Sequence, residues 1–337
     1  MIGKNTKIFV AGHRGFVGSS VVRTLRAEGF QNLCFCSRAR LDLEDRKKTL
    51  EYFDRARPRV VVMCAAARKC DDSWVDPLEM FGEMGMVCNV LDGAQSIDVE
   101  KCVFVGGSDL YPKSAKDPCQ ESTLLSDSDM PRTSDLHLGR LMGIRQCEAL
   151  WRQSGRFVSL ISTELYGPAK GGATGGNQGI VSLILKLLLA KERGDGRVEL
   201  SREPLFKTEL LFVDDFAAAC VAVLLEELEW PILNVGSGEG VQMEDFVATI
   251  ASAVGFPGRI EWTGKETRSD KIRRLDCNRI RSLGWSPQVS LQEGVAHTVR
   301  DLQNRLNWSR KLRLTKHRVQ DLSDALAALG SSEVCKG

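Results

Sequence analysis

At 337 residues the chain is long for one compact domain, leaving room for two domains or for one large α/β unit with a smaller lobe. Its 46 basic residues nearly balance 44 acidic ones, so no global charge draws it to nucleic acid or to an anionic membrane. Eleven cysteines without a Cys-x-x-Cys pair, and only four histidines (His13, His137, His297, His317), exclude a readable zinc cluster or disulfide framework.

In chain order, Lys7 to Ala11 is a short apolar strand, followed at once by Gly12-His-Arg-Gly15-Phe-Val-Gly18 and a helical pattern through Val21, Val22, Leu25 and Phe30. Asn32 to Cys36 predicts the second strand, Leu50 to Ala56 a helix, and Arg59 to Cys64 a third strand buried on both faces. Helix-period residues from Met80 to Ile97 lead into a strand at Cys102 to Val105. A helix from about Ser134 to Gln153 leads into another strand at Phe157 to Ile161. Strands separated by helices imply an α/β fold with a doubly wound parallel sheet. Beyond Tyr166 a glycine-rich loop from Gly171 to Gly179 precedes a helix from Ile180 to Lys191 and marks the entry to a smaller lobe. Val213-Asp-Asp-Phe starts a helix with acids in its first turn, Ile232 to Val235 returns a strand to the sheet, and a helix from Leu291 to Leu306 closes the fold. The expected division is a Rossmann domain over 1–168, its sheet completed by 210–240, then a smaller α/β lobe over 169–306 and a helical extension over 307–337.

The longest apolar run, Ile180 to Ala190, is interrupted by Lys186 and is too short for a membrane span. With the first strand beginning by about Lys7 there is no room for a signal peptide. A soluble, intracellular protein of the cytoplasm or an organelle matrix is expected. Cys34, Cys64, Cys102 and Cys220 sit among apolar neighbours and are expected to be buried thiols.

Glycines at 12, 15 and 18 allow a tight turn, a close approach of backbone to a pyrophosphate, and close packing of helix on strand; the helix N-terminus offers N–H groups to the anion. A glycine triplet alone is weak, but this one follows a strand and opens a helix, the context a dinucleotide site requires. The second strand ends Cys36-Ser37-Arg38-Ala39-Arg40, without the acid that would accept the ribose 2′-hydroxyl of NAD. Arg14, Arg38 and Arg40 offer bidentate partners to a 2′-phosphate instead, so NADP(H) is the expected cofactor.

Gly12-His-Arg-Gly-Phe-Val-Gly-Ser19, Leu41-Asp-Leu-Glu-Asp45, Ala65-Ala-Ala67, Leu110-Tyr-Pro-Lys113, Leu165-Tyr-Gly-Pro168, Val213-Asp-Asp215 and Leu283-Gly-Trp285 occur in order along the chain. In these segments, from Lys7 to about Leu306, the chain resembles the GDP-L-fucose synthase branch of the extended short-chain dehydrogenase/reductases. The resemblance implies NADPH-dependent 3,5-epimerase/4-reductase ancestry. It also implies a cofactor site drawn from Gly12, His13, Arg14, Gly15, Phe16, Val17, Gly18, Arg38, Arg40, Asp42, Leu43, Ala65, Ala66, Ala67 and Arg140.

The chemistry implied by that branch is missing. Its pattern Gly-Ser-Ser-Cys-Ile-Tyr-Pro reads here Gly106-Gly107-Ser108-Asp109-Leu110-Tyr111-Pro112, so the carbonyl-binding serine is Gly107 and the cysteine acid/base is Asp109. The tyrosine and lysine of its Tyr-x-x-x-Lys pair are Leu136 and Arg140; leucine has no proton to give, and arginine has no phenol to activate. His137 is the neighbouring titratable side chain, rotated by about 100 degrees around the helix. The histidine acid/base after the Tyr-Gly-Pro loop is absent from Asn177-Gln178-Gly179, and two substrate-gripping arginines fall on Leu187 and Thr208.

Past Leu306, Arg310, Lys311, Arg313, Lys316 and Arg318 form a basic stretch before a helical pattern through Val319, Leu322, Ala325, Leu326 and Leu329. This tail has three readings: a solvated segment packed on its own domain, a dock for a protein partner, or an RNA contact, the last poorly supported with Trp308 its one aromatic. The leading expectation is a degenerate, non-catalytic relative, with NADP(H) retained without turnover, acting as a structural or regulatory subunit of a larger protein complex. The resemblance also implies a homodimer through the helices around Met80 to Ile97 and Ser134 to Gln153. The alternatives are an epimerase/reductase that uses Ser108, Asp109 or His137 in new roles, and a redox-sensing NADP-binding regulator.

Overall fold

The computed structural model describes residues 2–65, 77–112, 114–124, 135–168, 178–201, 208–263 and 274–312. The apolar runs form a six-stranded parallel sheet of β1 (Ile8–Ala11), β2 (Leu33–Cys34), β3 (Val60–Met63), β4 (Lys101–Gly107), β5 (Phe157–Ser162) and β9 (Ile232–Val235), in the order β2-β1-β3-β4-β5-β9. Every residue of β1, β3, β5 and β9 is buried, as strands covered by helices on both faces must be. Between them run α1 (Phe16–Ala27), α2 (Arg46–Ala56), α3 (Pro77–Ser96) and α4 (Asp135–Ser154).

Local chemistry sets the ends of these helices. α2 starts four residues before the expected Leu50 because Asp45 caps it, its carboxylate accepting from the Lys48 N–H at 3.1 Å. α1 stops before Phe30, which the hydrophobic period had placed inside it. Gly29 takes a left-handed φ of 85°, and the Phe30 N–H returns to the Leu25 carbonyl at 2.9 Å, so Phe30 is buried beyond the helix rather than on it.

The remainder builds two small sheets. One, in the order β10-β8-β6, holds β6 (Glu164–Tyr166), β8 (Thr208–Phe212) and β10 (Gly240–Val241); the other pairs β7 (Arg197–Ser201) with β11 (Arg259–Thr263). The stretch expected to complete the main sheet is therefore split: β9 joins it, whereas β8 pairs with β6 in the smaller sheet. α5 (Gln178–Arg193), α6 (Val213–Leu225), α7 (Met243–Val254), α8 (Asn278–Ser282) and α9 (Leu291–Leu312) complete the chain. α5, α7 and α9 share a second apolar cluster with Tyr166, Leu210 and Phe212, separate from the cluster around the main sheet. α9 runs unbroken to Leu312, so the extension expected from residue 307 begins inside a helix; residues 313–337 lie outside those described.

Buried polar groups tie the later segments to the main sheet. Tyr111 Oη donates to Asn234 Oδ1 at 2.7 Å, and Asn234 Nδ2 donates to the Cys119 and Asp276 carbonyls at 2.9 and 3.1 Å. Glu209 accepts from the Gly238 and Leu275 N–H groups at 2.6 and 2.7 Å. Burial pushes the Glu209 carboxyl above its ordinary range. Among the described residues no helix is long and apolar enough to cross a membrane, and no cluster of His, Cys, Asp and Glu is arranged to hold a metal.

Candidate functional site

The carboxyl edge of the six-stranded sheet carries the candidate site, as open parallel sheets require. Between β1 and α1, Gly12 has a φ of 79°, and a Cβ there would lie 2.6 Å from the Ala65 nitrogen. A Cβ at Gly18 would overlap the Gly12 carbonyl. These two positions let the turn fold flat against β3 and α1 close on the turn. Gly15 is the N-cap of α1 and no side chain caps the helix, so its first N–H groups face the turn without an internal competitor. Phe16 is buried and Val17 half-buried, so they offer backbone to a ligand and side chain to the core.

Beside this cradle, His13 stacks on Phe35, with ring centroids 4.9 Å apart, and the Arg26 guanidinium lies over the other ring at 5.8 Å from its centroid. Burial, helped by Arg14, lowers the His13 pKa from its ordinary 6.5. Arg14, Arg38 and Arg40 are all exposed at this end. Arg38 donates to Glu44 at 2.8 Å and lies 3.9 Å from Asp42, so two acids hold its guanidinium where a 2′-phosphate would compete for it. Asp42 and Leu43 belong to a loop pinned from behind, since Asn89 of α3 donates to the Leu43 and Glu44 carbonyls at 2.9 and 3.0 Å. Ala65 is half-buried; Ala66 and Ala67 lie outside the described residues.

Two strands further along the edge, β4 runs into a short 3-10 turn at Ser108–Leu110. A side chain at Gly107 would run into the carboxylate of Asp109, which folds back over that glycine. The serine position and the cysteine position of the family pattern are thus coupled here: the acid fills the volume that the glycine leaves. Leu136 lies in the first turn of α4, its side chain and that of His137 outside the described set. Arg140 donates through Nε to Glu83 Oε1 of α3 at 3.1 Å. Glu83 is 2% exposed, and its other oxygen, Oε2, has no hydrogen-bond partner among the described residues. Sequence reasoning missed Glu83; an acid in a helix that otherwise turns Met86, Val87, Val90 and Leu91 inward was the available signal.

Leu187 is fully buried in the second apolar cluster, and Thr208 opens β8 half-exposed. Cys102 and Cys220 are buried as expected, whereas Cys34 and Cys64 are half-buried, each at the edge of the core; burial of its sulfur still pushes the Cys64 thiol up to about 12. These thiols are poor nucleophiles.

A six-stranded parallel sheet with a glycine cradle at its first turn and a second small lobe defines a Rossmann-type dinucleotide-binding protein. The sequence pattern of the NAD dependent epimerase/dehydratase family matches residues 8–236, and the chain belongs to that family. It is 33% identical over 305 residues to GDP-L-fucose synthase 1 of Arabidopsis thaliana, covering 88% of this chain and 93% of that one. It is 32% identical over 308 residues to the GDP-L-fucose synthase of Escherichia coli K12, covering 87% and 95%. Among solved structures, a GDP-mannoheptose C4 reductase from Campylobacter jejuni with NADP bound superposes with a TM-score of 0.79 at 25% identity, over 90% of this chain and 100% of that one.

Proposed function

We propose that this chain is a catalytically degenerate member of its family that binds NADP(H) without turning it over and serves as a structural or regulatory subunit of a larger assembly. The observation that carries the reading is the carboxylate of Asp109 folded over Gly107, in the place where the family pattern puts a serine beside a cysteine.

The residues present fit a dinucleotide. The Gly12–Gly18 cradle is shaped by backbone that a side chain would block, and α1 has no competing cap. Gly12, Gly15 and Gly18, with the N–H groups of His13, Phe16 and Val17, would hold the pyrophosphate. Arg14, Arg38 and Arg40 would face the 2′-phosphate, Asp42, Leu43 and Ala65 to Ala67 the adenosine half, and Arg140 the nicotinamide ribose. NADP bound to the Campylobacter relative supports the same choice of cofactor. Bound NADPH would supply a hydride, but reduction also needs a proton at the forming oxygen, and Leu136 has none. Each lost acid or base removes roughly 100- to 10,000-fold in rate.

Two exposed apolar side chains support a docking role: Phe81 of α3 is 61% exposed and Met142 of α4 is 42% exposed. They stand on the helices where the family resemblance places a subunit contact, and the basic sequence past Leu306 supplies further charge for a partner.

Two measurements test the proposal. NADPH consumption with GDP-4-keto-6-deoxymannose is expected to stay at the rate without protein, and turnover would sink the degenerate reading. The endogenous protein, sized after gentle lysis, is expected to travel with a large assembly; migration as a free dimer would remove the subunit role.

A further inference from the structure

The ion pair between buried Glu83 and half-buried Arg140, the residue at the lysine position of the family pattern, lies on the helices that a dinucleotide would reach. Both α3 and α4 start at the carboxyl edge of the sheet, because each follows a strand and returns the chain to the amino edge for the next parallel one. Glu83 and Arg140 sit in their second turns. A pyrophosphate at the β1–α1 turn directs one nucleoside towards β2, which carries the ribose-facing residues, and the other towards β4 and α4. The second nucleoside is the nicotinamide half.

The packing makes this contact specific. Gly139 brings α4 close to α3, so that a Cβ there would lie 3.3 Å from the Glu83 Cγ. Glu83 reaches Arg140 with one oxygen and leaves Oε2 buried without a partner among the described residues. A buried acid with one oxygen unpaired is costly to keep, so its charge has to be weighed as well as its bond. Arg140 alone would put a positive charge at this end; Glu83 cancels it.

NADP+ and NADPH differ by one positive charge on the nicotinamide ring. Resting on the cofactor reading above, we infer that Glu83 is a specificity-determining residue: by neutralising Arg140 it lets the site accept the oxidised, cationic nicotinamide as readily as the reduced one. Without Glu83 the uncompensated guanidinium would repel NADP+ selectively.

The test is to titrate the full-length chain and its Glu83→Gln and Glu83→Asn variants separately with NADP+, NADPH and 2′-phospho-ADP-ribose, which lacks the nicotinamide ring. Both variants are expected to raise the ratio of Kd for NADP+ to Kd for NADPH about tenfold, the order of effect of removing one nearby unit charge at an effective dielectric of about 20. Binding of 2′-phospho-ADP-ribose is expected to stay within about twofold, because that ligand carries no ring to discriminate. Two neutral replacements of different size separate charge from packing: a purely structural Glu83 would weaken all three ligands together or none. An unmoved ratio in a variant that folds and binds overturns the inference while leaving the cofactor reading intact. Failure of the parent chain to bind any of the three removes the cofactor reading, and the inference with it.

Discussion

Two stretches of the sheet's carboxyl edge, after β1 and after β4, are built differently. The β1–α1 stretch keeps residues whose work is done by backbone: Gly12 at a positive φ, Gly18 against the Gly12 carbonyl, and an uncapped helix N-terminus. The β4–α4 stretch is arranged through side chains, with Asp109 folded over Gly107 and Arg140 drawn to Glu83. Backbone shape is built into the first strand, turn and helix, and cannot change without disturbing the core. Proton-moving side chains at the rim can be replaced without disturbing the strands beneath them. On the function proposed above, the nucleotide cradle outlasts the chemistry next to it.

The comparison is broken most forcefully at the cradle. Gly12→Val would put a β-branched side chain at a φ of 79° and into the Ala65 backbone. The expected outcome is a loss of about 2–4 kcal/mol of stability, by denaturant titration, together with loss of measurable NADP(H) binding. A variant that folds normally and binds NADPH with parental affinity would show that the turn is not where the nucleotide sits.

The same contrast explains what could be read from the sequence. The cradle and the parallel sheet were legible because glycine spacing and apolar runs such as Ile8–Ala11 and Val60–Met63 are local signals. The small sheets were not. β6, β7, β8, β10 and β11 are between two and five residues long, and the exposed alternation of β11 resembles loop. For Glu83 the acid among inward-facing apolar residues was legible but its role was not: its partner lies on a different helix, and pairing between helices leaves no mark in sequence spacing. The coupling of Gly107 to Asp109 shows the intermediate case. Both replacements were visible in the motif, but only the structure shows the carboxylate occupying the space beside the glycine.

That coupling can be sharpened by Gly107→Ser. The backbone at 107 is extended and accepts any residue, and the obstacle is the end of the exposed Asp109 side chain. The substitution is expected to cost no more than about 1 kcal/mol and to restore no NADPH consumption, since Leu136 still offers no proton. Recovery of turnover from this one change would mean that the β4–α4 stretch is a working active site blocked only at Gly107. A loss much above 1 kcal/mol, measured by urea unfolding, would mean that Asp109 is held in place by more than its own turn.

The smallest effect belongs to His13, at the border of the retained region. Its pKa is lowered in the folded protein, first by burial against Phe35 and then by Arg14. The folded state therefore binds the proton less readily than the unfolded chain. Stability is complete above the unfolded pKa of 6.5 and declines as the pH falls through 6.5 towards the lowered folded value, where the loss levels off. His13 is half-exposed, so solvent screening keeps the effect to about 0.5 kcal/mol or less. Urea unfolding at pH 7.5 and 5.5 should show a smaller acid-side loss in His13→Asn than in the parent. Saturating NADP+ should shrink the parent's loss as well, because a pyrophosphate held by the adjoining N–H groups favours the protonated ring. A parent that loses as much stability on acidification with NADP+ as without it would place the phosphates away from His13, and would separate the turn's shape from the ligand it was expected to hold.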